Sequence, residues 1–169
     1  MKKEKLQKII CEVQKQELEL RFDHFSNEDA FELGKHFVEK IKKDNIEMAV
    51  MIKKVNGNTL FSYFSEGTNL MNEKWMNRKF NTVVANEMSS YLRYAKSELE
   101  GDYKDFNAAV VSQGLSPKDY VFCGGGFPIK LTTGEMVGVV LASNLPHEQD
   151  HMFIVEGLTS YLKKNKQED

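Results

Sequence analysis

The sequence predicts an α+β domain: an antiparallel sheet of about five strands flanked by helices. Three observations carry this. Segments with apolar residues at helical spacing alternate with shorter segments that are either strictly alternating or almost wholly apolar. The strand-like segments come in neighbouring pairs joined by tight turns, at Asn56-Gly57 and at "TTGE" (132–135). Neighbouring strands joined by tight turns pair antiparallel, and the helices then cover the sheet.

The elements follow in order. Leu6, Ile9, Ile10 and Val13 sit at i, i+3, i+4 and i+7, which marks an amphipathic first helix. In "ELELRF", Leu18, Leu20 and Phe22 alternate with charged residues, the pattern of a half-buried strand. Ser26 followed by Asp29 is a helix N-cap with an acidic first turn, and Ala30, Gly34, Phe37, Val38 and Ile41 form its inner face as far as Lys43. "IEMAVMIKKV" and "TLFSYFS" make a hairpin about Asn56-Gly57. Asn72 is read as the cap of one long helix from Glu73 to Tyr94, with Met76, Phe80, Val83, Val84, Met88 and Tyr91 on its apolar face. Residues 96–120 show no regular pattern beyond a short helical start at Ser116-Pro117. The strands "VFCGGGFPIKL" and "MVGVVLAS" follow, and a closing helix runs from His147 to Leu162.

With 169 residues the chain fits one domain spanning 1–169, large enough for a core without covalent staples. A net charge of −2 offers no basic field for nucleic acid or an anionic bilayer. No apolar run reaches the length of a membrane span, and the charged N-terminus lacks the apolar stretch of a secretory signal. Cys11 and Cys123 are therefore expected to be reduced thiols in a cytoplasmic protein.

Three stretches could carry chemistry. His147-Glu148-Gln149-Asp150-His151 matches H-E-x-x-H, in which two histidines one helical turn apart share a zinc ion. Here Pro146 puts the motif at the very start of a helix, and the 18 residues after His151 contain no histidine or cysteine to act as third ligand. Glu156 lies about 140° around the helix from His151. The string therefore reads as a polar first turn favoured by the helix dipole, and no metal is expected. The second stretch, "CGGGFPIK", has three consecutive glycines. They suit either a ligand-facing loop with bare amides or a strand entry against which a helix packs. No G-K-[ST] follows, which excludes a P-loop. In the third, Arg78 and Lys79 could hold an acidic group from a ligand or a neighbouring subunit, or could simply be solvated. Cys123 has no paired histidine by local signature and reads as a small core residue.

These stretches together resemble a family. Trp75, Arg78, Lys79, Asn81, Thr82 and Val83 fit W-x-x-R-K-x-N-T-V, Gly124 to Ile129 fit G-G-x-F-P-I, and Leu145, Pro146, Asp150 and His151 fit L-P-x-x-x-D-H. This is similar to the HbpS/GlcG-like family of haem-degrading-domain proteins, specifically a small uncharacterised subgroup. The resemblance implies a profilin-like α-β-α domain, a homo-oligomer built through dimers, and haem or a related small molecule as ligand. His147 falls on a variable position of the family pattern, and Asn144 stands where the family has glycine. Asparagine tolerates left-handed backbone, so the turn is expected to survive.

Two readings stay open. In the first, the protein is a ligand-binding or assembly protein whose site is formed by Gly124, Gly125, Gly126, Phe127 and Pro128 with Asp150 and His151, joined by Arg78. In the second it is a haem-degrading or metal-dependent enzyme with His151 as the iron or metal ligand.

Overall fold

The computed structural model describes residues 2–168. The elements are α1 (Lys2–Glu19), α2 (Asn27–Asp44), β1 (Ala49–Lys54), β2 (Thr59–Phe64), α3 (Leu70–Asn86), α4 (Ser90–Glu100), α5 (Phe106–Ser112), β3 (Gly126–Lys130), β4 (Met136–Ser143) and α6 (His147–Glu168). The strands form one sheet in the order β2-β1-β4-β3, antiparallel throughout.

The sheet is sandwiched between helices. Val50, Ile52, Phe127, Ile129, Val140 and Ala142 point to a face covered by α2 and α6, where they meet Leu33, Phe37, Ile41, Phe153, Ile154 and Leu158. Ala49, Met51, Val139 and Leu141 point the opposite way, onto Met76, Phe80 and Val83 of α3. Successive side chains on a strand alternate faces, so a strand buried on both sides must be apolar at every position. That is why β1 and β4 read as unbroken apolar runs. Each fully buried Phe, Leu or Ile in these layers contributes about 1.5–3 kcal/mol.

The Ser26 cap is present as a capping box: its hydroxyl accepts from the Asp29 amide (3.1 Å) and Asp29 accepts from the Ser26 amide (2.6 Å). The hairpin at Asn56-Gly57 joins β1 and β2 as expected, with Gly57 at φ 94°.

Five expectations are corrected. Among the described residues the sheet has four strands, not about five. "ELELRF" is no strand, because α1 runs through Glu19 and only Phe22 makes an isolated bridge to Leu131. The long helix divides at Glu87, which turns into left-handed backbone (φ 52°), and Ser89 then caps α4. The cap of α3 is Asn69, while Asn72 is the residue that completes its capping box. Residues 96–120 are more regular than they read: α4 continues to Glu100 and α5 follows, although Ser116-Pro117 starts only a turn.

Helix α1 lies off the sheet, along α4. Its Val13 packs with Tyr91 and Leu92, and Glu17, buried, accepts from the Ser89 amide at 2.7 Å. This placement brings Gln16 over the start of α6, where it meets His151.

Candidate functional site

The first turn of α6 rests on α3 through a buried ion pair. Lys79 Nζ lies 2.9 Å from Asp150 Oδ2 and 2.9 Å from the Ala142 carbonyl, and both charged side chains are 3% exposed. The other carboxylate oxygen accepts from the Leu145 amide at 2.9 Å. Burial pushes the Asp150 carboxyl up from its ordinary range, while the Lys79 ammonium and the amides of Leu145 and Asn144 pull it back. Two charges survive at such depth only when each has several partners, and here each does.

The glycine run is shaped by this pair. Gly125 adopts φ 114°, and a Cβ there would lie 2.5 Å from the Ala142 oxygen and 2.5 Å from Lys79 Nζ. No side chain fits between the strand and the ion pair. A Cβ on Gly124 would run into the His147 carbonyl. The amides are occupied as well. Gly124 N–H donates to His147 Nδ1 (3.1 Å), and Gly126 N–H donates to Ser90 Oγ (2.9 Å). The run is thus a close-packed strand entry. Phe127 is a core residue, and Pro128 sits on edge strand β3, where its missing N–H costs no ladder bond.

The two histidines of the H-E-x-x-H string differ. His151 is sealed, at 1% exposure: Nε2 contacts Gln16 Oε1 at 2.8 Å, and the ring packs on Tyr91 (4.8 Å between centroids) and Phe127 (5.9 Å). Its Nδ1 is buried with no hydrogen-bond partner. Burial drives its pKa down to about 3, so the ring is neutral. His147 is half-buried within a ring of Tyr94 (4.6 Å), Phe106 (5.2 Å) and Tyr91 (5.6 Å). Because Gly124 N–H donates to its Nδ1, that nitrogen is the acceptor and the proton of the neutral ring lies on Nε2. Burial lowers its pKa and reinforces the neutral form. Glu148 faces solvent. Among the described residues, no three His, Cys, Asp or Glu side chains are placed to hold a metal ion.

Beside the ion pair lies a cavity of about 280 Å³, between α3, α5, the end of β4 and the start of α6. Lys79, Asp150, His147, Cys123, Asn72 and Ser143 supply its polar wall, and Trp75, Phe106 and Leu145 its apolar one. Asn144 completes the rim in a strained conformation, φ 149°, held by bonds from Asn72 Nδ2 (3.3 Å) and to the Glu47 carbonyl (3.0 Å). Burial raises the Cys123 thiol to about 11, so it is protonated and no nucleophile.

The structure therefore brings Gly124 to Pro128, Asp150 and His151 to one corner, but of these only Asp150 lines the cavity. Arg78 is directed elsewhere. It stacks on Trp75 (4.6 Å) and ties α3 to Asn107 (3.2 Å) and the Tyr120 carbonyl (3.4 Å). Lys79 does hold an acidic group, one from its own chain. Sequence reasoning passed over His147, Asn72, Phe106 and Asn144 as cavity residues. The one available signal was that His147 and Asp150, three apart on a helix, share a face.

The chain is 33% identical over 161 residues to a UPF0303 protein of Yersinia pseudotuberculosis serotype O:3, covering 92% of this chain and 86% of that protein. It is 36% identical over 148 residues to a UPF0303 protein of Psychromonas ingrahamii, covering 88% and 89%. Among solved structures, the Ybr137w protein superposes with a TM-score of 0.82 at 25% identity, over 92% of this chain and 88% of that one. The PduOC:heme complex superposes with a TM-score of 0.59 at 19% identity, over 80% and 93%, a likeness of fold alone. The family model described as haem degrading protein HbpS-like matches residues 25–159, and the chain belongs to the HbpS-like family.

Proposed function

We propose that the protein is a small-ligand-binding protein whose site is the cavity between α3, α5 and the first turn of α6. The observation that carries this reading is the placement of the Lys79–Asp150 ion pair in a cavity wall. Ligand sites combine apolar walls with a few convergent polar groups, and this cavity has both, at the small end of the usual size range. No reaction is assigned. With Cys123 protonated and His147 Nδ1 engaged by Gly124, the cavity offers no nucleophile with an adjacent base.

Haem, named for relatives, does not fit these residues as an iron-ligated group. An axial imidazole must present a bare nitrogen lone pair. The Nδ1 lone pair of His147 is taken by Gly124 and its Nε2 carries the proton, while both nitrogens of His151 are sealed behind Gln16, Tyr91 and Phe127. The alternative in which His151 serves an enzyme meets the same obstacle.

The ligand reading is tested by native mass spectrometry of the protein as purified, together with emission from Trp75, the sole tryptophan, which lines the cavity. A co-purified organic mass whose removal shifts the Trp75 emission supports it. Emission that is unchanged across a metabolite panel, and equally unchanged in a Leu145→Phe variant that narrows the cavity, overturns it.

A homo-oligomer built through dimers is supported by a separate observation. Strand β2 ends the sheet with an open backbone edge, and Phe64 (37% exposed) and Phe31 (46%) lie exposed on β2 and the α2 that packs against it. Sedimentation velocity on the wild type and Phe64→Lys is the test, with dissociation expected in the variant. The two unpaired thiols support a reducing compartment such as the cytoplasm. No helix among the described residues is long and apolar enough to cross a membrane.

A further inference from the structure

The cavity has an imbalance in its hydrogen bonds. Its acceptor oxygens are each already served by the protein. Asp150 accepts from Lys79 and Leu145, while Ser143 Oγ and Asn144 Oδ1 accept from Asn72 Nδ2. Its donors are not all used. Lys79 has three N–H groups and makes two bonds, to Ala142 and Asp150. His147 carries its proton on Nε2, and among the described residues that N–H has no protein acceptor. Both residues line the same cavity. The cavity brings no net charge of its own, because Lys79 and Asp150 cancel and His147 is neutral.

The His147 ring is held rigidly. The Gly124 amide fixes its tautomer, and Tyr91, Tyr94 and Phe106 surround it. Gly124 can approach His147 because it lacks the Cβ that would strike the His147 carbonyl. A fixed neutral imidazole with one N–H free of protein acceptors is a directional donor. It is suited to an oxygen acceptor and unsuited to a metal ion, which needs the lone pair.

We infer that His147, assisted by Lys79, recognises a small organic ligand by donating Nε2–H to its carbonyl or carboxylate oxygen. Trp75, Phe106 and Leu145 take the ligand's apolar remainder. This rests on the cavity being the binding site and adds the class of its occupant. Recognition by donors with no protein acceptor discriminates strongly, since an analogue lacking the acceptor excludes water from these N–H groups without replacing it.

The experiment uses three probes of one skeleton. Isobutyramide and isobutyrate carry the acceptor oxygen, and isobutylamine does not. Binding to the intact protein is followed by Trp75 emission, and the His147 tautomer is read by proton–nitrogen correlation of the imidazoles. The amide and the acid are expected to bind at least tenfold tighter than the amine. The Nε2–H signal of His147 should shift on binding, and His147→Phe should remove the preference. His147→Gln, which retains a side-chain N–H, should restore part of it. Equal binding of all three probes, or an unprotonated Nε2 in the wild-type spectrum, overturns the donor assignment while the cavity reading stands. If none of the three perturbs Trp75, this inference falls, while the cavity reading is decided by the wider metabolite panel and the Leu145→Phe variant. Hemin is the counter-probe: a Soret band shifted by histidine ligation and lost in His147→Phe would also overturn the assignment. The tautomer measurement needs no variant, so it stands even if His147→Phe does not fold.

Discussion

Replacing Lys79 by methionine tests the ion pair at the heart of the site. The substitution keeps an unbranched, apolar stem of similar length and removes the ammonium. Asp150 would then be left 3% exposed with only backbone donors, the Leu145 amide chief among them. Breaking one side of a buried pair costs about 3–5 kcal/mol. The structure also sets a ceiling. An isolated Asp150 can escape its burial by taking up a proton, and at pH 7 that costs about 1.36 kcal/mol for each of roughly three pH units above an ordinary carboxyl, or about 4 kcal/mol. The expected loss at pH 7 is therefore about 3–4 kcal/mol. The sign with pH follows. In the variant the folded-state pKa of Asp150 lies above its unfolded value, so the unfolded chain loses its proton first and the penalty grows as pH rises. Because burial already raises Asp150 in the wild type, the gap between wild type and Lys79→Met should begin to widen only above the wild-type pKa of Asp150, by up to about 1.4 kcal/mol per pH unit, and level off once Asp150 ionises in the folded variant. Urea unfolding followed by circular dichroism from pH 4 to pH 8 measures this. In the Lys79→Met/Asp150→Asn double variant the dependence should vanish, and much of the stability should return. A loss under about 1 kcal/mol with no pH dependence would refute the reasoning, because it would mean that water already solvates the pair.

Two further outcomes follow from the same corner. His151 is neutral in the fold with a pKa of about 3, against an ordinary value near 6.5. Its contribution is therefore complete above pH 6.5 and is lost as pH falls toward 3, so the wild type should lose about 2 kcal/mol between pH 6.5 and pH 5 from this group. His151→Phe should flatten that part of the urea-midpoint profile. At Asn144, alanine keeps the strained φ of 149° and loses the bonds to Asn72 and Glu47, so Asn144→Ala should cost about 1–2 kcal/mol. Asn144→Gly loses the same bonds but relieves the strain and should fall within about 1 kcal/mol of wild type by thermal melting.

Local signals in the sequence suffice where short-range physics decides the outcome. The Ser26–Asp29 box, the Asn56-Gly57 hairpin and the apolar runs of β1 and β4 are each set within a few residues. The failures share a cause. Leu18, Leu20 and Phe22 alternate like a strand, yet Leu18 is 65% exposed on the last turn of α1, while Leu20 and Phe22 are buried just beyond the helix end. Alternation over three apolar positions cannot separate a strand from a helix running into an extended exit. The break between α3 and α4 has no glycine or proline to announce it. Glu87 takes left-handed backbone because Ser89 can cap α4 and Glu17, from another helix, can accept from the Ser89 amide. That compensation comes from a residue 72 positions away and has no local signature.

The same distinction governs the site. Gly125 and Asp150 were legible as unusual residues, but their purpose depends on Lys79, which reaches Asp150 across 71 positions of sequence. The H-E-x-x-H string shows the limit most sharply. The motif specifies two imidazoles one turn apart, and zinc binding needs a free lone pair on each. Which nitrogen keeps its lone pair is decided by partners outside the motif, the Gly124 amide for His147 and Gln16 for His151. Here those partners leave one ring with a single N–H free of protein acceptors and seal the other. The chemistry of a histidine pair is thus set by the groups behind the rings, and in this chain those groups leave neither ring an accessible lone pair for a metal ion.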